Sequence, residues 1–312
     1  MLRPIITLDL PSTTITDLQK KGFYYVEDLL KNEDCLKKFD LNRSMLEKQL
    51  NVPGTLALDV WQRDTQRQSI LVCCSELEAV LGNGFQCGVI TELSGAPFSG
   101  KTQICLQLSI SVQLNKCHGG LNGRAIYIDT RSGVFGVRLR DIIRGYNKLF
   151  KDLKLNENEA LNNIHVLAPH SMEDFLQIID CVGKVLAEEV QNDKKTRLIV
   201  VDSLSMPILC CIDDPLKRPY YFSKILSALH KLALKHDLAV VITNEIVTQV
   251  DKDGTPYFAP AGGQHVADYV HVKMESTKLT DDKFAIRLVK SPMMPEISIT
   301  FKITQDGIRS VS

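Results

Sequence analysis

The sequence predicts an α/β fold: a mainly parallel sheet with antiparallel C-terminal strands, preceded by a small helical N-terminal domain. Three observations predict it. From about residue 75, short apolar runs alternate with longer helical segments, the pattern of right-handed βαβ units whose sheet is covered on both faces. The segment GAPFSGKT, Gly95 to Thr102, sits at one of the strand-to-helix junctions. After residue 265 the runs alternate apolar with polar residues, as half-exposed antiparallel strands do.

Each element follows in order. Residues 1–55 read as helical because ITDLQKKGF, VEDLLKNEDCLKKF and SMLEKQLNV space Leu, Ile and Phe three or four apart among charges. Ser44 is expected to cap the last of these, with Glu47 completing a capping box. This domain closes near Pro53-Gly54, and residues 56–70, polar around Arg63 to Arg67, read as a linker to a core over 71–312. In the core the strand candidates are GVITELSG, RAIYIDT, NIHVLAP, RLIVVDS and LAVVITN, with helices beginning near Thr102, Val137, Ser171 and Tyr220. YVHVKM, KFAIRLVK and ISITFKI supply the antiparallel strands, joined by turns such as Thr280-Asp281-Asp282.

Composition excludes some classes of function. Lys plus Arg and Asp plus Glu both number 37, so bulk attraction to nucleic acid or anionic membrane is absent and any polyanion site is local. The nine cysteines include the pairs Cys73-Cys74 and Cys210-Cys211 but no CxxC and no Cys/His cluster at zinc spacing. They read as buried small hydrophobes in a reducing compartment. No basic-then-apolar leader and no apolar run of roughly 18 residues is present, so an intracellular protein without membrane contact is expected.

GAPFSGKT fits G-x-x-x-x-G-K-[ST] in the strand–loop–helix context that motif requires. In Gly95, Ala96, Pro97, Phe98, Ser99 and Gly100 the backbone N–H groups can face phosphate oxygens, and the following helix N-terminus favours the anion. Lys101 reaches the β and γ oxygens, Thr102 can ligate Mg²⁺, and Gln103 completes the segment. The competing reading is a Gly-rich turn with a solvated lysine. Asp202 ends RLIVVD, where an acid at a strand tip supports Mg²⁺ or, more simply, caps a helix. IYIDTRSG places Arg131 just beyond a strand tip, where the chemistry of an open α/β sheet lies.

Taken in order over residues 70–312, GVITELSGAPFSGKTQICLQLSISVQL, GGLNGRAIYIDT, RLIVVDS, LAVVITNE, KSPMMPE and KITQDGI resemble the RecA-fold ATPase core of the eukaryotic strand-exchange recombinases. The resemblance implies a RecA-like P-loop NTPase core that takes ATP and Mg²⁺ at subunit interfaces. It also implies a nuclear role on single-stranded DNA, in filaments or small hetero-oligomers. Two departures resemble a divergent paralogue. Where the recombinase has a glutamate that activates the attacking water, this chain has Arg131; where it has a glutamine that senses the γ-phosphate, this chain has Glu245. A guanidinium cannot act as a base at neutral pH. Arg131 and Glu245 are expected to pair, or Arg131 to contact the γ-phosphate, so that ATP is held but hydrolysed slowly. Two other readings stay open: both side chains solvated at an open rim, or Glu245 as a substitute base. Lys101, Arg131 and Glu245 are thus the candidate catalytic group. Arg138 falls where the family packs an arginine on the adenine, and an exposed helix arginine is the alternative.

The resemblance also marks two DNA-facing loops. In SLSMPILCCIDDPLKRPYYFSK, Lys217, Arg218 and Lys224 alternate with aromatics, against the acids Asp213 and Asp214. In QVDKDGTPYFAPAGGQHVADY, Lys252, Tyr257 and Phe258 are candidates, and Gly254, Gly262 and Gly263 predict a loop disordered on its own. The same aromatics would suit a subunit interface. The leading reading is a subunit of a complex that assists recombinase filament assembly or remodelling in homologous recombination repair, with other paralogues or the recombinase as partners. The alternatives are a self-sufficient DNA-dependent ATPase performing strand exchange and a pseudo-ATPase interaction subunit.

Overall fold

Apolar runs that cannot face water on either side become the centre of a sheet, and AIYI, LIVV and AVVI do so here. The computed structural model describes residues 4–5, 8, 10, 12–39, 41–44, 46, 56–82, 84–131, 133, 136–189, 194–251 and 253–311. In chain order the strands are β1 Ser69–Ile70, β2 Phe85–Gln86, β3 Ile90–Gly95, β4 Arg124–Asp129, β5 Ile164–Leu167 and β6 Thr196–Asp202. They continue with β7 Ala239–Val250, β8 Pro256–Pro260, β9 Val272–Lys278, β10 Lys283–Lys290, β11 Ile297–Thr304 and β12 Gly307–Ser310. The main sheet runs β12-β11-β10-β9-β3-β7-β6-β4-β5, with β8 paired to β7. From β9 through β5 the neighbours are parallel, and β9 to β12 are antiparallel, as the sequence predicted.

The strand period of two sorts the core into two layers. Ala125, Tyr127, Leu198, Val200 and Val241 pack with Ile104, Leu108, Leu139 and Ile142 of the helices Lys101–Ser111 and Gly136–Leu149. On the opposite face Ile126, Ile128, Ile199, Val201, Val240 and Ile242 pack with Phe175, Ile179, Ile225 and Leu229 of the helices Met172–Glu188 and Arg218–His236. Ser171 caps the helix Met172–Glu188 by accepting from the Asp174 N–H at 3.0 Å. The helix Gly136–Leu149 crosses the β11–β12 turn so closely that a Cβ on Gly145 would overlap the Asp306 carbonyl oxygen. Gly145→Ala, which stabilises an open helix, is therefore expected to destabilise this one by about 1–3 kcal/mol, read as a lowered midpoint in urea.

The chain forms two compact units, residues 1–66 and 67–312. In the first, Leu18, Val26, Leu29, Cys35 and Leu36 form a small core between the helices Ser12–Lys20, Val26–Leu30 and Glu33–Lys38. Residues 43–44 are already helical and Asn42 Oδ1 accepts from the Ser44 N–H at 2.9 Å, so Asn42 takes the capping role expected of Ser44. Glu47 and Pro53-Gly54 lie outside the described residues. Within the stretch read as a linker, Ala57–Thr65 is a helix with no buried residue. In the second unit β1 pairs with β2.

Two expectations are corrected. Cys35, Cys74, Cys87 and Cys105 are buried, but Cys117, Cys181, Cys210 and Cys211 are exposed, and all nine are free thiols. The second loop, expected to be disordered alone, is instead an antiparallel hairpin in which Ile246 to Val250 pair with Pro256 to Pro260. Its turn explains the order: Asp251 Oδ1 accepts from the Asp253 and Thr255 N–H groups at 2.9 and 2.8 Å, and Gly254 takes φ +81°.

Candidate functional site

Two parallel strands, β3 and β6, end beside a third, β7, that runs on past them, and residues at that level make the site. β3 runs into the loop Gly95–Gly100, which opens the helix Lys101–Ser111; β6 ends at Asp202; β7 passes Thr243 and Glu245. Gly95 must be glycine because a Cβ would press against the Ser276 carbonyl and the Ser99 hydroxyl. Gly100 caps the helix at φ +93°, and Phe98 stands 90% exposed in the left-handed region, at φ +63°. Below the loop lies a cavity of about 510 Å³ lined by Pro97 to Gln103, Asp129, Arg131, Gly133 and Asp202, with Phe284 and Ile303 reaching in from β10 and β11.

Asp202 is 4% exposed and accepts hydrogen bonds from three hydroxyl groups. Thr102 Oγ1 and Tyr127 Oη donate to its Oδ2 at 2.7 and 2.8 Å, and Thr243 Oγ1 to its Oδ1 at 2.6 Å. Burial holds the Tyr127 phenol well above its ordinary value, so it remains a donor. Lys101 Nζ donates to the Gly95 and Ala96 carbonyls at 2.7 and 3.0 Å. Burial pushes its amine down while the carboxylates of Glu245 and Asp202 pull it back up.

Arg131 and Glu245 meet. Arg131 Nη1 donates to Glu245 Oε1 at 2.7 Å, and Glu245 Oε2 lies 3.8 Å from Lys101 Nζ. Glu245 is 12% exposed and Arg131 38%, so the carboxylate is enclosed between two cations while the guanidinium keeps water. The backbone fixes it from both sides: Ser205 Oγ accepts from the Glu245 N–H at 3.1 Å, and the Glu245 carbonyl accepts from the Ala261 N–H at 2.9 Å. In β7, Thr243 and Glu245 face the P-loop helix, while Asn244 faces the other layer.

The residues present fit a nucleotide triphosphate with Mg²⁺. A glycine cradle, free N–H groups in the first helical turn, a lysine and a half-buried Thr–Asp pair form the donor set such a ligand takes. Among the described residues, no group of three His, Cys, Asp or Glu side chains offers a metal cage of its own. Arg138 is not free: it donates to Gln103 Oε1 at 2.6 Å and to the Gln305 and Thr304 carbonyls at 2.6 and 2.8 Å. It thus ties the P-loop helix to the end of β11.

The structure does not bring the DNA candidates into this site. Lys217 lies 3.9 Å from Asp214, Arg218 donates to the Ile212 carbonyl at 2.9 Å, and Tyr257 donates to Gln249 Oε1 at 2.8 Å. Lys252 lies outside the described residues. Of the aromatics, Phe222 is buried and Tyr220 exposed. Sequence reasoning missed Tyr127 and Thr243, polar residues hidden in apolar runs. The signal was their spacing, because each lies two residues before a polar strand-tip side chain and so shares its face. Phe284 and Ile303 carried no local signal.

Residues 64–311 match the Rad51 family. The full chain is 28% identical to the DNA repair protein RAD51 homolog 3 of Cricetulus griseus, over 100% of this chain and 93% of that protein. A family match of this extent, laid over a sheet that brings Lys101 and Thr102 of the P-loop helix against Asp202 and Glu245, establishes that the chain belongs to the Rad51 family, as a divergent paralogue of the recombinase.

Proposed function

We propose that this chain is an ATP-binding subunit of a complex that assists recombinase filaments on single-stranded DNA during homologous recombination repair. It binds MgATP in the loop Gly95–Thr102 and hydrolyses it slowly. The observation that carries the reading is Glu245, held between Lys101 and Arg131 where the γ-phosphate would be received. Bound Mg²⁺ would supply charge neutralisation to the triphosphate. Thr102 and Asp202 would hold the ion, Lys101 and the loop N–H groups would hold the phosphates, and Arg138 would border the base. No general base stands at position 131, so this chain positions the triphosphate without activating water.

Membership of the family and the likeness to a DNA repair protein support a nuclear role with other paralogues or the recombinase as partners. No helix among the described residues is long and apolar enough to cross a membrane. A filament-assembly assay tests the proposal, with recombinase loaded on single-stranded DNA together with this chain and its stable partner. The wild type is expected to speed loading with MgATP, and Lys101→Ala to weaken a fluorescent ATP analogue at least 100-fold and lose the effect. Strand exchange by this chain alone would overturn the reading in favour of a self-sufficient recombinase. Full assistance by Lys101→Ala would favour a pseudo-ATPase interaction subunit.

A further inference from the structure

The tip of β7 is gripped from both faces of the sheet. On the nucleotide face Glu245 meets Lys101 and Arg131; on the opposite face Asn244 meets Glu92 of β3. Glu92 and Asn244 are 1% and 0% exposed, in the layer where Ile90, Val240 and Ile242 form the second core. Asn244 Nδ2 spends both hydrogens, donating to Glu92 Oε1 at 2.7 Å and to the Ala261 carbonyl at 2.8 Å. Two oxygens of the same pair are left buried with no partner: Glu92 Oε2 and Asn244 Oδ1.

Two orphan acceptors in one joined pair have a simple resolution. A single proton on Glu92 Oε2 would turn that oxygen into a donor, and the orphan acceptor on its own hydrogen-bond partner is Asn244 Oδ1. The result is a carboxylic acid–amide ring with two hydrogen bonds and no polar atom unmet. An ionised Glu92 would instead leave a charge and two acceptors unsatisfied in an apolar layer, which is unfavourable. We propose that Glu92 is held as the neutral acid and, through a two-bond pair with Asn244, is a positioning residue for the strand tip that presents Glu245.

The geometry gives the pair a reach in two directions. Asn244 precedes Glu245, so fixing its side chain fixes the direction in which the Glu245 carboxylate leaves the strand. Its other hydrogen holds Ala261, whose own N–H donates to the Glu245 carbonyl at the foot of the β7–β8 hairpin. The nucleotide face and the hairpin are thereby tied through one amide. Burial raises the Glu92 carboxyl above its ordinary value, against a lowering by the hydrogen bond from Asn244. The charged groups around it are Lys273 and Glu275 on β9 and Lys290 on β10; Lys273 is its register neighbour. His271 sits at the other end of β3, its Nδ1 accepting from the Ile90 N–H. A raised carboxyl contributes stability that is complete below the ordinary carboxylate range and declines as pH rises towards the folded value.

The test uses the full chain in two arms. In the first, infrared spectra at pH 7 are compared for wild type and Glu92→Gln. The other carboxyl groups are ionised unless similarly buried, so a neutral-acid carbonyl band present in wild type and missing in Glu92→Gln is expected. Superimposable spectra overturn the proposal. The melting temperature of wild type should also fall relative to Glu92→Gln as pH rises from 5 to 8.

In the second arm, a fluorescent ATP analogue is titrated into Glu92→Gln and Glu92→Leu. Glutamine reproduces both hydrogen bonds of the neutral acid and should keep affinity within about threefold; leucine leaves Asn244 unpaired and should lose about tenfold. Equal losses in the two variants would show that charge, not the pair, matters, and no loss in either would remove the positioning role. The second arm rests on the reading of Gly95–Thr102 as an ATP site. The infrared arm does not, so failure of that reading and failure of this one are separable, and the infrared arm also decides the matter if Glu92→Leu does not fold.

Discussion

Glu245→Gln is expected to bind MgATP about tenfold more tightly than the wild type. The wild-type carboxylate lies 2.7 Å from Arg131 and 3.8 Å from Lys101, so it satisfies in advance the two cations that would meet a γ-phosphate. A triphosphate arriving there must displace the carboxylate or sit beside it. Unit charges about 4–5 Å apart at an effective dielectric near 20 repel by roughly 3–4 kcal/mol, and the flanking cations offset most of this. A remainder of about 1.4 kcal/mol corresponds to the tenfold change. Glutamine keeps the shape, removes the charge and frees both cations. Isothermal titration with a non-hydrolysable analogue reads the effect directly, and unchanged affinity would place the triphosphate away from Glu245. Steady-state turnover of the same variant separates a second possibility: if Glu245 serves as the base, turnover vanishes while binding improves.

The larger effect is expected from exchanging both charges. Arg131→Glu alone would set two carboxylates against each other at hydrogen-bonding distance, and at least one would take up a proton or swing away. Arg131→Glu combined with Glu245→Gln avoids this by placing an acid where a water must be activated and an amide where a phosphate oxygen must be read. That is the arrangement the family resemblance implies for the recombinase. General-base catalysis typically contributes 10²–10⁴-fold, and an acid installed without its evolved surroundings recovers part of it. A rise in turnover of at least tenfold is expected.

Much of this was legible in the sequence for identifiable reasons. Buried parallel strands are short, apolar and ended by a polar residue, so IYID and LIVVD gave away both their strands and their functional tips. The phosphate loop was legible because glycine is demanded by close backbone approach at Gly95 and by a left-handed cap at Gly100. The pairing of Arg131 with Glu245 was one of the readings open in the sequence, because the resemblance sets both substitutions at the γ-phosphate and their charges are opposite; the 2.7 Å contact selects it. What escaped depended on distance along the chain. Phe284 and Ile303 reach the cavity because β9 joins β3 in parallel and carries the antiparallel β10 and β11 next to it. Arg138 was read by position, and its carbonyl partners at Thr304 and Gln305 lie more than 160 residues away. The hairpin was misread because its glycines suggested mobility, while the register of Ile246 to Val250 and the Asp251 turn decided the matter. Glu92 carried no signal of its own within GVITELSG; the sheet order, which buries β3 between β9 and β7, makes it a buried acid.

The charges at positions 131 and 245 are proposed to hold ATP in place and keep its hydrolysis slow. The most direct test is the single-turnover rate of ATP hydrolysis at saturating protein, compared between wild type and the Arg131→Glu, Glu245→Gln double variant. A rate at least tenfold faster in the double variant, with both proteins binding ATP, is the predicted result. Equal rates with unchanged affinity would contradict the claim and move the origin of slow turnover elsewhere in the site.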